Sequence, residues 1–194
     1  VVDALHLKQH WEDRESQQQI GFADVILLNK RDLVSAQDLA LVTEKVQSLN
    51  GLCEIIETEK AQVSLDKILG IGGFNLEKTL VSHPDFLKGQ HSHHHQKVGS
   101  VGLILEGFVD LEKFQKWISE ILQTQGPDIF RSKGIIALPH EKKKYVFQGV
   151  HMQIEGALGS DWKSGEKPET QLVFIGRNLN REQLQAGLEA CRMN

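Results

Sequence analysis

The stretch Asp24-Val25-Ile26-Leu27-Leu28-Asn29-Lys30-Arg31-Asp32 constrains this chain more than any other. Four consecutive apolar residues, Val25 to Leu28, run without alternation into an Asn-Lys-Arg-Asp cluster. A half-exposed strand alternates apolar and polar residues. An unbroken apolar run predicts a strand buried on both faces, as in a parallel sheet covered by helices. Ligands of open α/β sheets bind just beyond the carboxyl ends of such strands, which is where Asn29, Lys30 and Asp32 fall. Their chemistry matches a guanine base. A carboxylate at Asp32 accepts hydrogens from both N1 and the 2-amino group, and an amide at Asn29 donates to the O6/N7 edge. The Lys30 stem is long enough to lie along the ring with its charge in water. Adenine lacks the 2-amino group and offers a donor where guanine offers O6, so the wrong base leaves buried polar groups unpaired. The plain alternative is a strand followed by a polar turn, with Ser35 opening the next helix.

The 194 residues are 40% hydrophobic and 25% charged, enough for one or two cores. A net charge of -4 argues against a general nucleic-acid or anionic-membrane partner. Cys53 and Cys191 lie far apart, without a C-x-x-C pair, and fit reduced thiols in a cytoplasmic setting or one incidental bridge. No run approaches the roughly 18 apolar residues of a membrane span. Val1-Val2-Asp3-Ala4 has the pattern of a buried strand's end, with Asp3 capping the next turn or facing the nucleotide edge of the sheet.

Local signals divide the rest. Glu15 to Ala23 predicts a short helix leading into the central strand. Ser35 and Asp38 form a capping-box-like pair before a helix with Leu39, Val42, Val46 and Leu49 at helical spacing. Asn50-Gly51 closes it. Cys53 to Thr58 predicts a strand and Ser64 to Leu69 a brief helix. Residues 1–82 thus read as an α/β half-domain. Residues 83–97 have no apolar periodicity and predict a linker. Residues 98–194 predict a second unit: a strand over Gly99 to Val109, then a helix capped by Asp110 with Leu111, Phe114, Trp117, Ile118, Ile121 and Leu122 on one face. Strands follow over Gly134 to Leu138, Tyr145 to Val150 and Gln171 to Gly176, and Asn180 starts a last helix. Met152 to Glu155 extends a strand or adds one, Gly156 to Pro168 predicts a polar loop, and Lys142 to Lys144 a solvated turn. This order predicts a smaller, ferredoxin-like α+β domain.

His91, His93, His94 and His95 crowd into five positions of the linker. Imidazole is a common ligand of zinc and other transition metals, and ordering a flexible tract costs entropy, so a low-affinity metal site and an inert solvated linker both fit. No G-x-x-x-x-G-K-[ST] occurs, so the phosphate-cradling loop and its Mg²⁺-binding hydroxyl are missing from these residues.

Val1-Val2-Asp3-Ala4, the run from Gln19 to Asp32 and the His-rich linker together resemble the CobW family of P-loop GTPases. Arg131-Ser132-Lys133-Gly134, Val146 to His151 and Leu172 to Leu179 look like that family's C-terminal domain in its usual order. The resemblance implies a GTPase whose GTP cycle, with Mg²⁺, drives delivery of a metal, zinc first, to a client protein. It implies guanine specificity at Asn29, Lys30 and Asp32. The family's Walker A loop, C-x-C-C metal motif and switch regions would lie before residue 1, so the resemblance implies a portion of a longer protein, inactive alone. A half-sheet with an open edge implies self-association. The competing expectation is a non-enzymatic metal-binding or client-docking module.

Overall fold

The computed structural model describes residues 1–69, 98–150 and 153–193. The chain divides into two compact units, Val1–Ser82 and His83–Asn194. In the first, β1 (Val2–Asp3), α1 (Leu7–His10), α2 (Arg14–Phe22), β2 (Val25–Asn29), α3 (Ala36–Leu49) and β3 (Glu54–Glu57) follow in order. The strands form a parallel sheet with β2 in the middle. Ile26, Leu27 and Leu28 are buried, so the unbroken apolar run is a central parallel strand as its pattern requires.

α3 starts where its cap predicts: Ser35 Oγ accepts from Asp38 N at 3.1 Å. Its buried stripe is Val42, Val46 and Leu49. Asn50, expected only to stop the helix, does more. It is fully buried, and its Nδ2 donates to the carbonyls of Ile20 at 2.7 Å and Ala23 at 2.9 Å. Its Oδ1 accepts from Leu52 N at 3.1 Å. One amide thus ties the end of α2, the entry to β2 and the exit of α3 together. The brief helix expected over Ser64 to Leu69 is a single 3-10 turn, Leu65–Lys67.

The second unit contains β4 (Val98–Glu106), α4 (Leu111–Gln125), β5 (Ile129–Ile136), β6 (Lys143–Val150), β7 (Gln153–Asp161), β8 (Glu169–Arg177) and α5 (Arg181–Ala190). Its sheet is antiparallel throughout, in the order β4-β8-β5-β6-β7. Asp110 caps α4 by accepting from Glu112 N and Lys113 N, and Asn180 caps α5 by accepting from Gln183 N. Phe114, Ile118 and Ile121 of α4 and Leu184 and Leu188 of α5 share one core with Leu103, Phe147, Leu172 and Phe174 of the sheet. The Phe114 ring meets Phe147 edge-on at 5.3 Å, and Trp117 meets Phe174 at 6.1 Å. Gly187 lets α5 approach α4: a Cβ there would stand 2.0 Å from the Trp117 Nε1.

Two expectations are corrected. The polar loop expected from Gly156 onward is strand β7 as far as Asp161. Lys144, expected in a solvated turn, is buried, with its ammonium 2.8 Å from Glu166 Oε1 and 4.9 Å from the Trp162 ring centre. Burying the charge is tolerable because a carboxylate and a π-face both answer it.

Candidate functional site

Parallel strands deliver their last residues to the same edge of the sheet. Asp3 stands opposite Asn29, and Leu28 opposite Glu57, so Thr58 comes alongside Asn29. Backbone bonds continue the pairing past the strands: Ala4 N donates to Asn29 O at 2.9 Å, and Thr58 N to Leu28 O at 2.9 Å.

The Asn29 side chain is fixed from the far side. Its Oδ1 accepts from Ala61 N at 2.8 Å and from Thr58 Oγ1 at 3.3 Å. With Oδ1 engaged, the amide's Nδ2 is the end directed to donate outward. Lys30 follows with a left-handed backbone, φ 62°. Its Nζ reaches Asp3 Oδ2 at 2.7 Å. Asp3 also accepts from Leu5 N at 2.9 Å, His6 N at 3.2 Å and the His6 ring at 2.9 Å. The capping role and the role at the sheet's edge are therefore one arrangement. Desolvation pushes the Asp3 carboxyl up, but Lys30, His6 and the two backbone amides together hold it well below the usual carboxylate range.

Asp32 lies in the 3-10 turn Arg31–Leu33 and is exposed. Among the described residues its carboxylate makes no hydrogen bond or ion pair. Arg31, between the two site residues, is pulled away: its Nε donates to Glu59 Oε1 at 3.0 Å, and its guanidinium is 3.7 Å from Glu57. The Asn29–Lys30–Asp32 tip therefore offers one oriented amide donor, one aliphatic stem and one free pair of carboxylate acceptors. That set can read the edge of a purine bearing a carbonyl and an amino group.

Thr58 and Ala61 were not among the expected site residues. Thr58 was recoverable from strand register. Ala61 acts through its backbone amide, which no side chain advertises, and it is held by left-handed φ values of 51° at Lys60 and 55° at Ala61.

A cavity of about 180 Å³ lies beside β1, lined by Val2, Asp3, His6, His10, Gln19 and Ile26 among others. It is smaller than the ~300–1,000 Å³ of typical ligand pockets. No group of three or more His, Cys, Asp or Glu side chains able to hold a metal occurs among the described residues. His91, His93, His94 and His95 lie outside the described residues. No helix among the described residues is long and apolar enough to cross a membrane.

Residues 98–192 match the family model of the cobalamin synthesis protein cobW C-terminal domain, and residues 1–57 match the CobW/HypB/UreG nucleotide-binding domain. The chain belongs to the CobW family. Among its curated relatives, the zinc chaperone YjiA of Escherichia coli is 26% identical over 99% of this chain and 59% of its own length. The zinc chaperone CobW of a Sinorhizobium species is 28% identical over 90% of this chain and 52% of its own. The zinc-regulated GTPase metalloprotein activator 1 of Schizosaccharomyces pombe is 28% identical over 84% of this chain and 47% of its own. The CobW-family chain thus spans about half to three fifths of these relatives. Among solved structures, the Zn(II)-bound YjiA GTPase of E. coli superposes with a TM-score of 0.81 at 25% identity, over 99% of this chain and 59% of that one.

Proposed function

We propose that this chain supplies the guanine-reading end of a cytoplasmic GTP-driven metallochaperone that hands zinc to a client protein. The observation that carries the reading is the fixed amide of Asn29. Its oxygen is held by Ala61 N at 2.8 Å, so its donor end is preset for the O6/N7 edge. Asp32 supplies the acceptors for N1–H and the 2-amino group, and the Lys30 stem, braced by Asp3, flanks the ring. A donor and acceptors set before the base arrives lower the ordering cost of binding and sharpen discrimination against adenine.

Residues 1–82 belong to the GTPase domain, 83–97 form the linker, and 98–194 form the C-terminal domain. Within the 194 residues no phosphate loop is encoded. Gripping the phosphates and hydrolysing GTP fall to residues outside them, and this stretch is inactive alone. Mg²⁺ neutralises phosphate charge during such hydrolysis and takes a ligand from the hydroxyl of a phosphate loop, which these 194 residues do not encode. Zinc is cargo. His91, His93, His94 and His95 hold it weakly in transit.

The test uses the complete protein, phosphate loop included. Wild type should bind GTP well ahead of ATP, and Asp32→Ala should reduce that preference by on the order of 100-fold or more. Survival of the preference would sink the base-reading assignment. Zinc calorimetry with the four linker histidines replaced tests the cargo role separately, with loss of the weak site expected.

A further inference from the structure

β7 is the outermost strand of the second sheet, bonded to β6 on one side. Eight of its nine residues are exposed. Natural edge strands of this kind are commonly blunted by lysine, proline or extreme shortness. The sequence Gln153-Ile154-Glu155-Gly156-Ala157-Leu158-Gly159-Ser160-Asp161 carries no Lys, Arg or Pro. Its register with β6 is regular from Gln153 opposite Val150 to Leu158 opposite Tyr145, and shifts only beyond Leu158. A straight row of backbone donors and acceptors is therefore presented over Gln153–Leu158.

The side chains are equally unusual for an edge. The β6–β7 ribbon carries Val146, Val150, Ile154 and Leu158, four of the twelve exposed large apolar side chains among the described residues. Ile154 is 36% exposed and Leu158 53%. They flank Gly156 on one face, where the Tyr145 hydroxyl end lies so close that a Cβ on Gly156 would stand 2.1 Å from it.

We propose that β7 is an association edge for a second copy of this chain, pairing antiparallel with that copy's β7 and with Gly156 opposite Gly156. Identical antiparallel strands that share a sheet face must set residues of the same face opposite each other. Centring the pair on Glu155 would bring two carboxylates together. Centring it on Ala157 would use Ser160 and Asp161, which lie past the register shift. Centring it on Gly156 puts Ile154 opposite Leu158 twice, Glu155 opposite Ala157 and Gln153 opposite Gly159. Both exposed apolar residues then enter direct cross-strand pairs, and no like charges stand directly opposite each other. This self-complementarity selects a second copy over an unrelated strand.

Sedimentation of the whole 194-residue chain should show a monomer–dimer equilibrium. Leu158→Lys should raise its dissociation constant by at least ~10-fold, because an ammonium would then face Ile154. Register is read by oxidative cross-linking with Cys53→Ser, Cys191 being buried. Ile154→Cys mixed with Leu158→Cys should form a disulfide-linked pair, since directly opposed residues lie within disulfide reach. Either variant alone should not, because its two cysteines would sit four residues out of step, roughly 13 Å apart. A chain monomeric at every concentration, a dimer indifferent to Leu158→Lys, or cross-linking of one variant alone as efficient as the mixture would each overturn the proposal.

Discussion

In the parallel sheet of β1, β2 and β3, every strand ends on the same side, so Asp3, Asn29 and Thr58 arrive together. In the antiparallel sheet of β4 to β8, neighbouring strands end on opposite sides, and what they share is a face: Leu103, Phe147, Leu172 and Phe174 meet α4 and α5 there. Strand direction alone thus sorts the molecule. Parallel pairing concentrates polar tips at one edge, where a small ligand can be read. Antiparallel pairing builds a broad apolar layer and leaves its outermost strand, β7, as the exposed feature.

The largest expected effect falls on that apolar layer. Phe114→Ala removes a fully buried ring that meets both Phe147 and Trp117, and should destabilise the second unit by roughly 3–5 kcal/mol. Hydrogen exchange should quicken in α4 and β5 and stay unchanged in β2 and α3. Faster exchange in β2 would break the division between the sheets.

A smaller effect is expected from the polar knot of the parallel unit. Asn50→Ala leaves the Ile20 and Ala23 carbonyls and Leu52 N without their side-chain partner. The loss should be about 1–3 kcal/mol in urea titrations, against a near-neutral result if water replaces the amide.

The smallest effect is the most specific to the strand tips. Asp3 titrates below the usual carboxylate range in the folded chain. The stability it contributes is therefore complete above that range and is lost as pH falls through the lowered value. Asp3→Asn keeps an oxygen for the Leu5 and His6 amides but not the charge facing Lys30. Melting temperatures should fall more steeply for wild type than for Asp3→Asn between about pH 4 and pH 2. Equal slopes would show that the Lys30 contact does not hold in solution. Solvent reaches both groups, so the difference should be slight.

The legible parts of this fold were those whose signal is local. A short unbroken apolar run fits a strand buried on both faces, and β2, buried at Ile26, Leu27 and Leu28, is one. Ser35, Asp110 and Asn180 cap within three residues of themselves, so their roles need no tertiary knowledge. β7 was legible only at its start, where Met152 to Glu155 was expected to extend or add a strand, and from Gly156 to Asp161 it was hidden for the opposite reason. It is exposed on both faces, so no periodicity marks it, and its glycines mimic a loop. Only pairing with β6 makes it a strand. The tip containing Asn29, Lys30 and Asp32 stands where the pattern put it. What orients Asn29 comes from across the sheet: strand register points to Thr58, but a linear reading has no access to the Ala61 amide. Asn50 announced a helix end but not the four partners its side chain gathers.

Five non-glycine residues among those described have a positive φ, and Lys30, Lys60 and Ala61 are three of them. Each sits where glycine would relax the backbone by about 1 kcal/mol. Glycine at 30 would delete the stem that reaches Asp3, and glycine at 60 or 61 would slacken the turn that steadies Asn29. On the proposed guanine-reading role, substitutions that make this corner more comfortable should therefore make it less discriminating. In any search for hardier variants of the chain, these three positions are where gains in robustness and losses in selectivity should appear together.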